Sequence, residues 1–334
     1  MAGAERALVT GGGGFLGRYI VEQLLARGDA VTVFSRGSYP GLEQLGAGVI
    51  RGDLADAGAV REACDGCDIV YHVAAKAGLW GPWDDFYRAN VTGTENVIAA
   101  CRAQGVRKLV YTSSPSVIFD GSDQLGVDES APYPDRYESP YPETKAIGEQ
   151  RVIAGNGNTL LTTSLRPHLI FGPRDNHLLP SLLAKARQGR VPQVGDGTNM
   201  VDLTYVEDAA RAHLLAADAL APGSPVAGRC YFISQDEPVA LWPWVQDLLA
   251  RLDIPPVRLR IPLGLARAAG GALATVYRAG NLSGEPPLTP FLASELAQNH
   301  FYDISAARAD FGYAPQFTMA QAKARTVAWL RRQG

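Results

Sequence analysis

Residues Ala7–Gly17, ALVTGGGGFLG, decide the fold. The first four are apolar or β-branched and predict a buried strand, and a helical pattern begins at Phe15. Glycines at 11, 14 and 17 let the backbone turn tightly and approach a pyrophosphate without an intervening side chain. The helix N-terminus offers that anion unpaired N–H groups and a positive dipole end. The predicted dinucleotide contacts in this turn are Gly11, Gly14, Phe15, Leu16 and Gly17.

Strand and helix patterns alternate through the first half of the chain. Apolar, β-branched runs end at Phe34, Arg51, Val73 and Ser113, with helical patterns between them. This alternation indicates βαβ units, and nearly continuous apolar runs indicate strands that are covered on both faces. We therefore predict an α/β fold: a Rossmann-type doubly wound parallel sheet with a smaller mixed α/β lobe at the C-terminal side.

The domain organisation follows from a change in sequence pattern after about Gly172, where Pro and Gly turns separate short predicted helices and weakly predicted strands. We predict that residues 1–172 form the cofactor-binding domain and that residues 200–235 return to it. Residues 173–199 and 236–334 then form the substrate-binding lobe.

The stretch Gly264–Gly280 is small and apolar apart from Arg267 and Arg278, which lie about 20° apart on a helical wheel. It is too short and too charged for a transmembrane helix. Gly270 and Gly271 in its middle weaken the helical prediction. It is a packed helix of the lobe, or a lid or interfacial surface that meets an apolar substrate.

Composition disfavours several classes of function. The chain has 334 residues, of which 46% are hydrophobic, and can bury a large core. A net charge of −3 without basic runs argues against nucleic acid as a partner. Met1–Ala7 lacks the features of a secretory signal, so we expect a cytoplasmic protein with no transmembrane span. Cys64 and Cys67 form a C-x-x-C without a second pair, and the histidines lack H-x-x-x-H spacing, so we predict reduced thiols and no metal.

The end of the second predicted strand, Phe34-Ser-Arg-Gly37, contains no carboxylate. NAD enzymes usually place an acid there for the adenosine ribose. Arg36 can instead pair with a 2′-phosphate, with Ser35 as a hydroxyl donor, so we predict NADP(H) as the cofactor. At the end of the third strand, Asp53 is either an acceptor for the adenine amino group or a helix N-cap.

Tyr141-Pro-Glu-Thr-Lys145 places a phenol and an ammonium four residues apart, on one face of a predicted helix. A nearby lysine favours the phenolate and brings the tyrosine pKa toward neutral pH, where it can act as an acid or base. Tyr111-Thr-Ser-Ser-Pro-Ser-Val117 closes a strand at the sheet edge where ligands bind, and a hydroxyl there can hold a carbonyl oxygen. The glycine turn, the serines and Y-x-x-x-K in this order predict an oxidoreductase site.

These motifs resemble the extended short-chain dehydrogenase/reductases over essentially the whole chain. The matching stretches are Thr10–Gly17, Gly52–Leu54, His72–Ala75, Asn90–Thr94, Tyr111–Ser114, Tyr141–Lys145 and Arg166–Pro173. By that resemblance Tyr141 is the proton donor, Lys145 holds the nicotinamide ribose and Ser114 is the catalytic serine. The resemblance also implies cofactor contacts at Leu54, Ala74, Ala75 and Pro167.

Within that family the chain is most similar to the 3β-hydroxysteroid dehydrogenase-like branch and its bacterial 2-alkyl-3-oxoalkanoate reductases of long-chain olefin biosynthesis. The resembling stretches are Ala74–Gly81, Thr112–Val117, Gly172–Pro180 and Val194–Asn199. The implied substrate is a lipid-like β-keto acid that is reduced to a β-hydroxy acid, with a homodimer and a complex with other olefin-pathway enzymes as expected assemblies. The implied substrate contacts are Lys76, Trp80, Ser114, Asn176 and His177.

Two other functions stay open at this point. A hydroxysteroid or sterol dehydrogenase would use the same scaffold. A regulatory protein that binds NADP without turnover is disfavoured by the intact Ser114, Tyr141 and Lys145. An epimerase or dehydratase is disfavoured because Pro115 and Ser116, rather than an acid, follow the serine.

Overall fold

Seven parallel strands form the central sheet of the computed structural model, which describes residues 4–333. The strands in that range are β1 (Arg6–Thr10), β2 (Ala30–Ser35), β3 (Gly48–Arg51), β4 (Ile69–His72), β5 (Lys108–Thr112), β6 (Gln124–Val127), β7 (Leu161–Pro167), β8 (Ile170–Phe171), β9 (Gln193–Val194), β10 (Met200–Val201), β11 (Thr204–Tyr205), β12 (Cys230–Ile233), β13 (Val239–Ala240), β14 (Arg260–Ile261) and β15 (His300–Tyr302). The order across the central sheet is β12-β7-β5-β4-β1-β2-β3.

Helices cover both faces of this sheet. They are α1 (Phe15–Arg27), α2 (Pro40–Glu43), α3 (Ala57–Ala63), α4 (Trp83–Tyr87), α5 (Gly93–Gln104), α6 (Pro140–Ala154), α7 (Leu178–Arg187), α8 (Val206–Ala219), α9 (Leu241–Arg251), α10 (Leu263–Ala279), α11 (Pro290–Glu295), α12 (Ser305–Phe311) and α13 (Met319–Gln333). A π-helical turn, Arg88–Thr92, joins α4 to α5, and a 3₁₀ turn, Pro115–Ile118, follows β5.

Two apolar layers hold the sheet. Helices α1 and α8 pack together over one face, and α3 and α5 pack together over the other. All four residues of β4 are buried, because a strand in the middle of such a sheet faces helices on both sides. The predicted doubly wound α/β fold is confirmed.

The second half builds three smaller sheets. Strands β13, β10, β15 and β6 form the largest of them, while β11 pairs with β8 and β14 pairs with β9. Of the segment 200–235, β12 lies in the central sheet and α8 packs on it, whereas β10 and β11 pair elsewhere. Residues 200–205 therefore contribute two short strands to two different sheets, and the domain limits stay a proposal.

Helix α10 is continuous through Gly270 and Gly271. It packs on α11 through a stripe of small residues: Ala266, Gly270 and Ala274 are its buried residues. Arg267 and Arg278 lie on one side of the helix, as the wheel predicts: Arg267 forms a salt bridge with Glu138, and Arg278 lies over the Trp80 ring. Within residues 4–333 no helix combines the length and apolar character needed to cross a bilayer.

Candidate functional site

A cleft of about 1000 Å³ opens at the carboxyl ends of the central strands. It is lined by the glycine turn, the ends of β2, β3, β4 and β5, the start of α6 and the segment before α7. The sequence-predicted residues that line it are Gly11, Gly14, Phe15, Leu16, Gly17, Ser35, Arg36, Asp53, Leu54, Ala74, Ala75, Lys76, Ser114, Tyr141, Lys145, Pro167, Asn176 and His177. The fold therefore brings distant motifs into one site.

The glycine turn is packed too closely for side chains. Gly11 has a φ of 70°, and a Cβ there would lie 2.8 Å from the Ala74 backbone. A Cβ on Gly17 would lie 2.3 Å from the Gly11 carbonyl oxygen. No side chain among residues 4–333 caps the N-terminus of α1. The first backbone N–H groups of this helix therefore face the cleft. This cradle fits a pyrophosphate.

The far end of the cleft suits an adenosine with a 2′-phosphate. The buried Ser35 hydroxyl has no hydrogen-bond partner among the described residues, and Arg36 is exposed at the cleft wall. Tyr39 was not predicted from the sequence: its ring lies over Gly13, where a Cβ would approach it to 2.2 Å. An unsatisfied hydroxyl, an arginine and an aromatic ring are groups that a phosphorylated adenosine can use.

Asp53 has protein partners. Its carboxylate forms a 2.9 Å salt bridge with Arg88 and accepts a 3.0 Å hydrogen bond from the Ala55 N–H. The N-cap of α3 is Asp56, which accepts from the N–H groups of Gly58 and Ala59. The N-cap alternative for Asp53 is therefore wrong, and an adenine amino group would share its carboxylate with Arg88.

Tyr141 and Lys145 lie one turn apart at the start of α6, where Pro140 occupies the first helical position. The Ser114 hydroxyl accepts from the Ser116 N–H at 3.2 Å and the Ser116 hydroxyl at 2.9 Å, which leaves its own proton for the Tyr141 phenol. The Lys145 ammonium donates to the Thr112 carbonyl at 2.6 Å. Phenol, hydroxyl and ammonium thus converge at the end of β5.

Burial controls the pKa of both titratable groups. It raises the pKa of Tyr141, and the Ser114 hydrogen bond lowers that pKa part of the way back. Burial lowers the pKa of Lys145 to about 7, against the Glu149 carboxylate, which raises it. The sequence pattern predicts that Lys145 brings the Tyr141 pKa toward neutral pH, but in the structure burial outweighs the polar contacts of Tyr141 and the pKa is raised instead.

One helical turn beyond Lys145, Glu149 is fully buried, and its carboxylate accepts hydrogen bonds from three residues. Its carboxylate accepts from Arg166 at 2.6 Å, from Ser164 at 2.8 Å and from the Tyr133 hydroxyl at 2.8 Å. Arg166 precedes Pro167, a cleft residue, so this network joins the catalytic helix to the end of β7. Sequence reasoning missed the network because its members lie on α6, on β7 and in the loop that contains Tyr133.

A second buried network lies under the glycine turn. The Thr10 hydroxyl bonds His72 Nδ1 at 2.7 Å, His72 Nε2 bonds the Thr94 hydroxyl at 3.0 Å, and Thr94 donates to the Asn90 carbonyl. Since Thr94 donates its proton to Asn90, Nε2 of His72 is the protonated nitrogen and Nδ1 accepts from Thr10. Asn90 lies in the π-helical turn, where its side chain bonds the Lys76 backbone twice.

Some of the predicted substrate residues line the cleft, and one does not. Asn176 and His177 are exposed at the cleft, just before α7, whose first N–H groups are bound by Asp175. Lys76 lines the cleft but pairs with Asp85 at 2.7 Å. Trp80 is outside the cleft lining in the described part of the chain and packs edge-on against Tyr277 of α10, with ring centroids 6.3 Å apart.

His168, Glu295 and His300 bring possible metal-ligand atoms within 4.8 Å of one another. His168 Nε2 bonds His300 Nδ1 at 3.1 Å, and His300 Nε2 donates to the Glu295 backbone carbonyl at 2.8 Å. The ring nitrogens that face each other are thus engaged in hydrogen bonds, and burial places the pKa of His168 well below its ordinary value. This pairing joins residues far apart in sequence, so no local spacing could have indicated it.

Known proteins resemble this chain over most of its length. The model of the 3-beta hydroxysteroid dehydrogenase/isomerase family matches residues 8–263. The 2-alkyl-3-oxoalkanoate reductase of Stenotrophomonas maltophilia is 49% identical over 97% of this chain and 98% of that protein. The human sterol-4-alpha-carboxylate 3-dehydrogenase, decarboxylating, is 37% identical over 98% of this chain and 89% of that protein.

A solved structure, MoeE5 in complex with UDP-glucose and NAD, superposes with a TM-score of 0.76 at 25% identity, over 98% of this chain and 99% of that one. The family model covers well over half of the residues, and the motif resemblance is thereby confirmed. The chain belongs to the 3-beta hydroxysteroid dehydrogenase/isomerase family.

Proposed function

We propose that this chain is an NADPH-dependent oxidoreductase that reduces the 3-oxo group of a long-chain 2-alkyl-3-oxoalkanoate to a hydroxyl. The observation that supports this most directly is that Tyr141, Lys145 and Ser114 share one cleft with the glycine turn and Arg36. The substrate class is taken from the relative that is 49% identical. The intact triad favours turnover over a purely regulatory role.

The chain's own residues supply the proton and hold the reacting oxygen. Bound NADPH supplies a hydride to the carbonyl carbon. Ser114 hydrogen-bonds the carbonyl oxygen, and Tyr141 donates its phenolic proton to that oxygen as negative charge develops there. The Lys145 ammonium stabilises the phenolate that Tyr141 leaves behind and binds the nicotinamide ribose. The product is the β-hydroxy acid.

The remaining cleft residues bind the two ligands. Arg36 and Ser35 bind the 2′-phosphate, the glycine turn binds the pyrophosphate, and Leu54, Ala74, Ala75 and Pro167 pack against the cofactor. Asn176 and His177 are the exposed polar groups that bind the substrate carboxylate, and Lys76, which pairs with Asp85, lines the same cleft. Trp80 and Tyr277 contribute apolar surface for the alkyl chains beyond the cleft.

Turnover with substrates of graded length tests this proposal. NADPH oxidation is followed with 2-alkyl-3-oxoalkanoates of increasing chain length and with a 3-oxosteroid. Because β-keto acids decarboxylate in solution, the reverse reaction is measured in parallel with NADP⁺ and the stable hydroxy acids. Each buried methylene contributes about 0.8 kcal/mol, so efficiency is expected to rise about fourfold per methylene until the channel is full.

Two results would contradict the proposal. A flat response to chain length with rapid steroid turnover would identify a sterol dehydrogenase, the activity named for the human relative. Binding of NADPH without turnover of any substrate would indicate a regulatory protein.

The assembly and location follow from the motif resemblance as further proposals. We propose a cytoplasmic homodimer that works beside other enzymes of long-chain olefin synthesis, one of which converts the β-hydroxy acid to a β-lactone. Sedimentation velocity tests the dimer, which would have about twice the 35.6 kDa mass of one chain. A monomer across the micromolar range would contradict it.

A further inference from the structure

Residues 254–284 differ in charge from the rest of the chain. They contain four arginines and no aspartate or glutamate, whereas the whole chain has a net charge of −3. They also contain four of the ten large apolar side chains that are exposed in residues 4–333, namely Leu259, Leu265, Val276 and Leu282. Basic and apolar exposed groups are thus concentrated in one segment.

Most of this segment is α10, which has an unpartnered face. Its buried side is the stripe of small residues that packs on α11. The opposite face spans about 100° of the helical wheel and has no charged or polar side chain at its centre. The exposed residues of this face are Leu265, Ala268, Ala269, Ala272, Val276 and Ala279.

Arginines stand at both ends of the helix rather than on that face. Arg258 and Arg260 precede the helix and Arg278 lies in its last turn; all three are exposed and form no salt bridge within the described residues. Arg267 is neutralised by Glu138. An apolar helical face with cationic groups at its ends is complementary to a bilayer that has apolar chains below anionic headgroups.

We propose that residues 254–284 dock the protein reversibly on an anionic lipid surface, with α10 lying in the plane of the headgroups. Leu265 and Val276 enter the acyl boundary, while Arg258, Arg260 and Arg278 pair with headgroup phosphates. A second copy of the chain is a poorer occupant, because a two-fold interface on this face would bring like-charged arginines together. The inference goes beyond the proposed reaction and needs no turnover to test.

Vesicle co-sedimentation of the full chain tests the docking. We expect binding to vesicles of phosphatidylcholine with phosphatidylglycerol, little binding to phosphatidylcholine alone, and weaker binding as salt rises. Leu265→Gln with Val276→Gln should reduce the vesicle affinity about tenfold or more, because the two side chains are 61% and 57% exposed and lose only lipid contacts. Arg258→Gln with Arg260→Gln should have a similar effect on anionic vesicles only.

Leu45→Gln is the matched control, since Leu45 is 48% exposed but lies on the first domain, and it should leave the vesicle affinity unchanged. Thermal unfolding of each variant confirms that it is folded. Absence of binding to anionic vesicles, or binding that the Leu265 and Val276 changes do not weaken, would overturn the proposal. So would concentration-dependent self-association that those same changes abolish, because it would assign the face to a second copy.

Discussion

At the scale of single residues, Lys145 faces opposing requirements. The proposed mechanism needs its charge, but burial lowers its pKa to about 7. The Glu149 carboxylate, one turn further along α6, raises that pKa. The other groups around the ammonium are the Thr112 carbonyl, the Tyr111 ring 4.0 Å away and the buried His72, none of which supplies a negative charge. Glu149 is therefore the acidic group that holds the Lys145 pKa at about 7 against the effect of burial.

The first prediction concerns the pH profile of reduction. Efficiency should fall as the pH rises through about 7, because Lys145 loses its proton there. Glu149→Gln should move this fall to lower pH, since it removes the group that raises the Lys145 pKa, and Glu149→Asp should restore it in part. Glu95→Gln, on the exposed surface of α5, is the control. An unmoved profile in a folded Glu149→Gln variant would contradict the assignment.

The second prediction concerns Tyr141. Tyr141→Phe removes the acid without changing shape, so it should lower turnover roughly 10²- to 10⁴-fold and leave the NADPH dissociation constant unchanged. Turnover and fluorescence titration measure the two effects. Tyr87→Phe removes an exposed phenol from α4 outside the cleft lining and should have little effect on either. Near-normal turnover of Tyr141→Phe would mean that another group is the acid.

The third prediction concerns cofactor choice. The wild type should bind NADPH more tightly than NADH, and Arg36→Ala should narrow that ratio by about ten- to a hundredfold, because a charge-assisted pair contributes roughly 1.5 to 3 kcal/mol. Isothermal titration with both cofactors measures the ratio. Arg61→Ala, on α3 outside the cleft, should preserve it. Equal affinities of the wild type for NADPH and NADH would show that the residues at the end of β2 do not select the 2′-phosphate.

At the scale of elements, α10 shows why the presence of glycine alone is a poor guide to where a helix forms. Two adjacent glycines weaken a helical prediction, yet the helix runs through both. Gly270 is required by packing: a Cβ there would lie 2.8 Å from the Thr289 carbonyl carbon, at the start of α11. A Cβ added at Gly271 would meet no atom within 4 Å in the described chain beyond its own helix. One glycine permits a close helix contact, and its neighbour has no such role.

The fourth prediction separates these two glycines. Gly270→Ala should destabilise the protein by about 1 to 3 kcal/mol, because the neighbouring backbone must shift. Gly271→Ala should stabilise it by up to about 1 kcal/mol, because alanine has the higher helix propensity. Chemical unfolding of both variants gives the two free energies. Equal effects would show that α10 does not approach α11 so closely.

At the scale of the whole molecule, buried neutral histidines contribute to the loss of stability in acid. Burial lowers the pKa of His72 to about 3 and that of His213 to about 4. His213 Nδ1 donates to the Ala209 carbonyl, so its Nε2 accepts from the Thr112 hydroxyl. Each histidine takes up a proton on unfolding below pH 6.5, so stability that is present above this pH is lost as the pH falls toward 4.

The fifth prediction follows from that proton uptake. Below pH 6.5 each of the two histidines should cost about 1.4 kcal/mol of unfolding free energy per pH unit. His213→Gln keeps an acceptor for Thr112 but cannot take up the proton. The slope of the unfolding free energy against pH should therefore be lower in this variant by about 1.4 kcal/mol per pH unit. Unfolding measured between pH 7 and pH 5 provides the test. An unchanged slope in the variant would show that His213 is not neutral in the folded chain.

The sequence predicts whatever depends on local spacing. The strand-turn-helix at Ala7–Gly17 follows from an apolar run, a glycine turn and a helical pattern, and the pair Tyr141 and Lys145 follows from the four-residue spacing of a helix face. The observed α1 begins at Phe15, as predicted. The buried networks do not follow from it. Glu149 meets Arg166, and His168 meets His300, only after strands and helices from separate parts of the chain have packed. Trp80 lies outside the cleft lining for the same reason, because its aromatic partner Tyr277 is on α10, far along the chain.

Strand order in the four-stranded sheet has a consequence for biosynthesis. There β6, made early, pairs with β15, and β15 in turn pairs with β10. A nascent chain that has left the ribosome as far as β6 must therefore wait for residues His300–Tyr302 before that strand acquires its neighbour. An unpaired strand edge is exposed throughout this interval and can recruit other chains. We therefore expect the yield of folded protein to depend on protection of this strand edge during translation, as well as on the final stability of the fold.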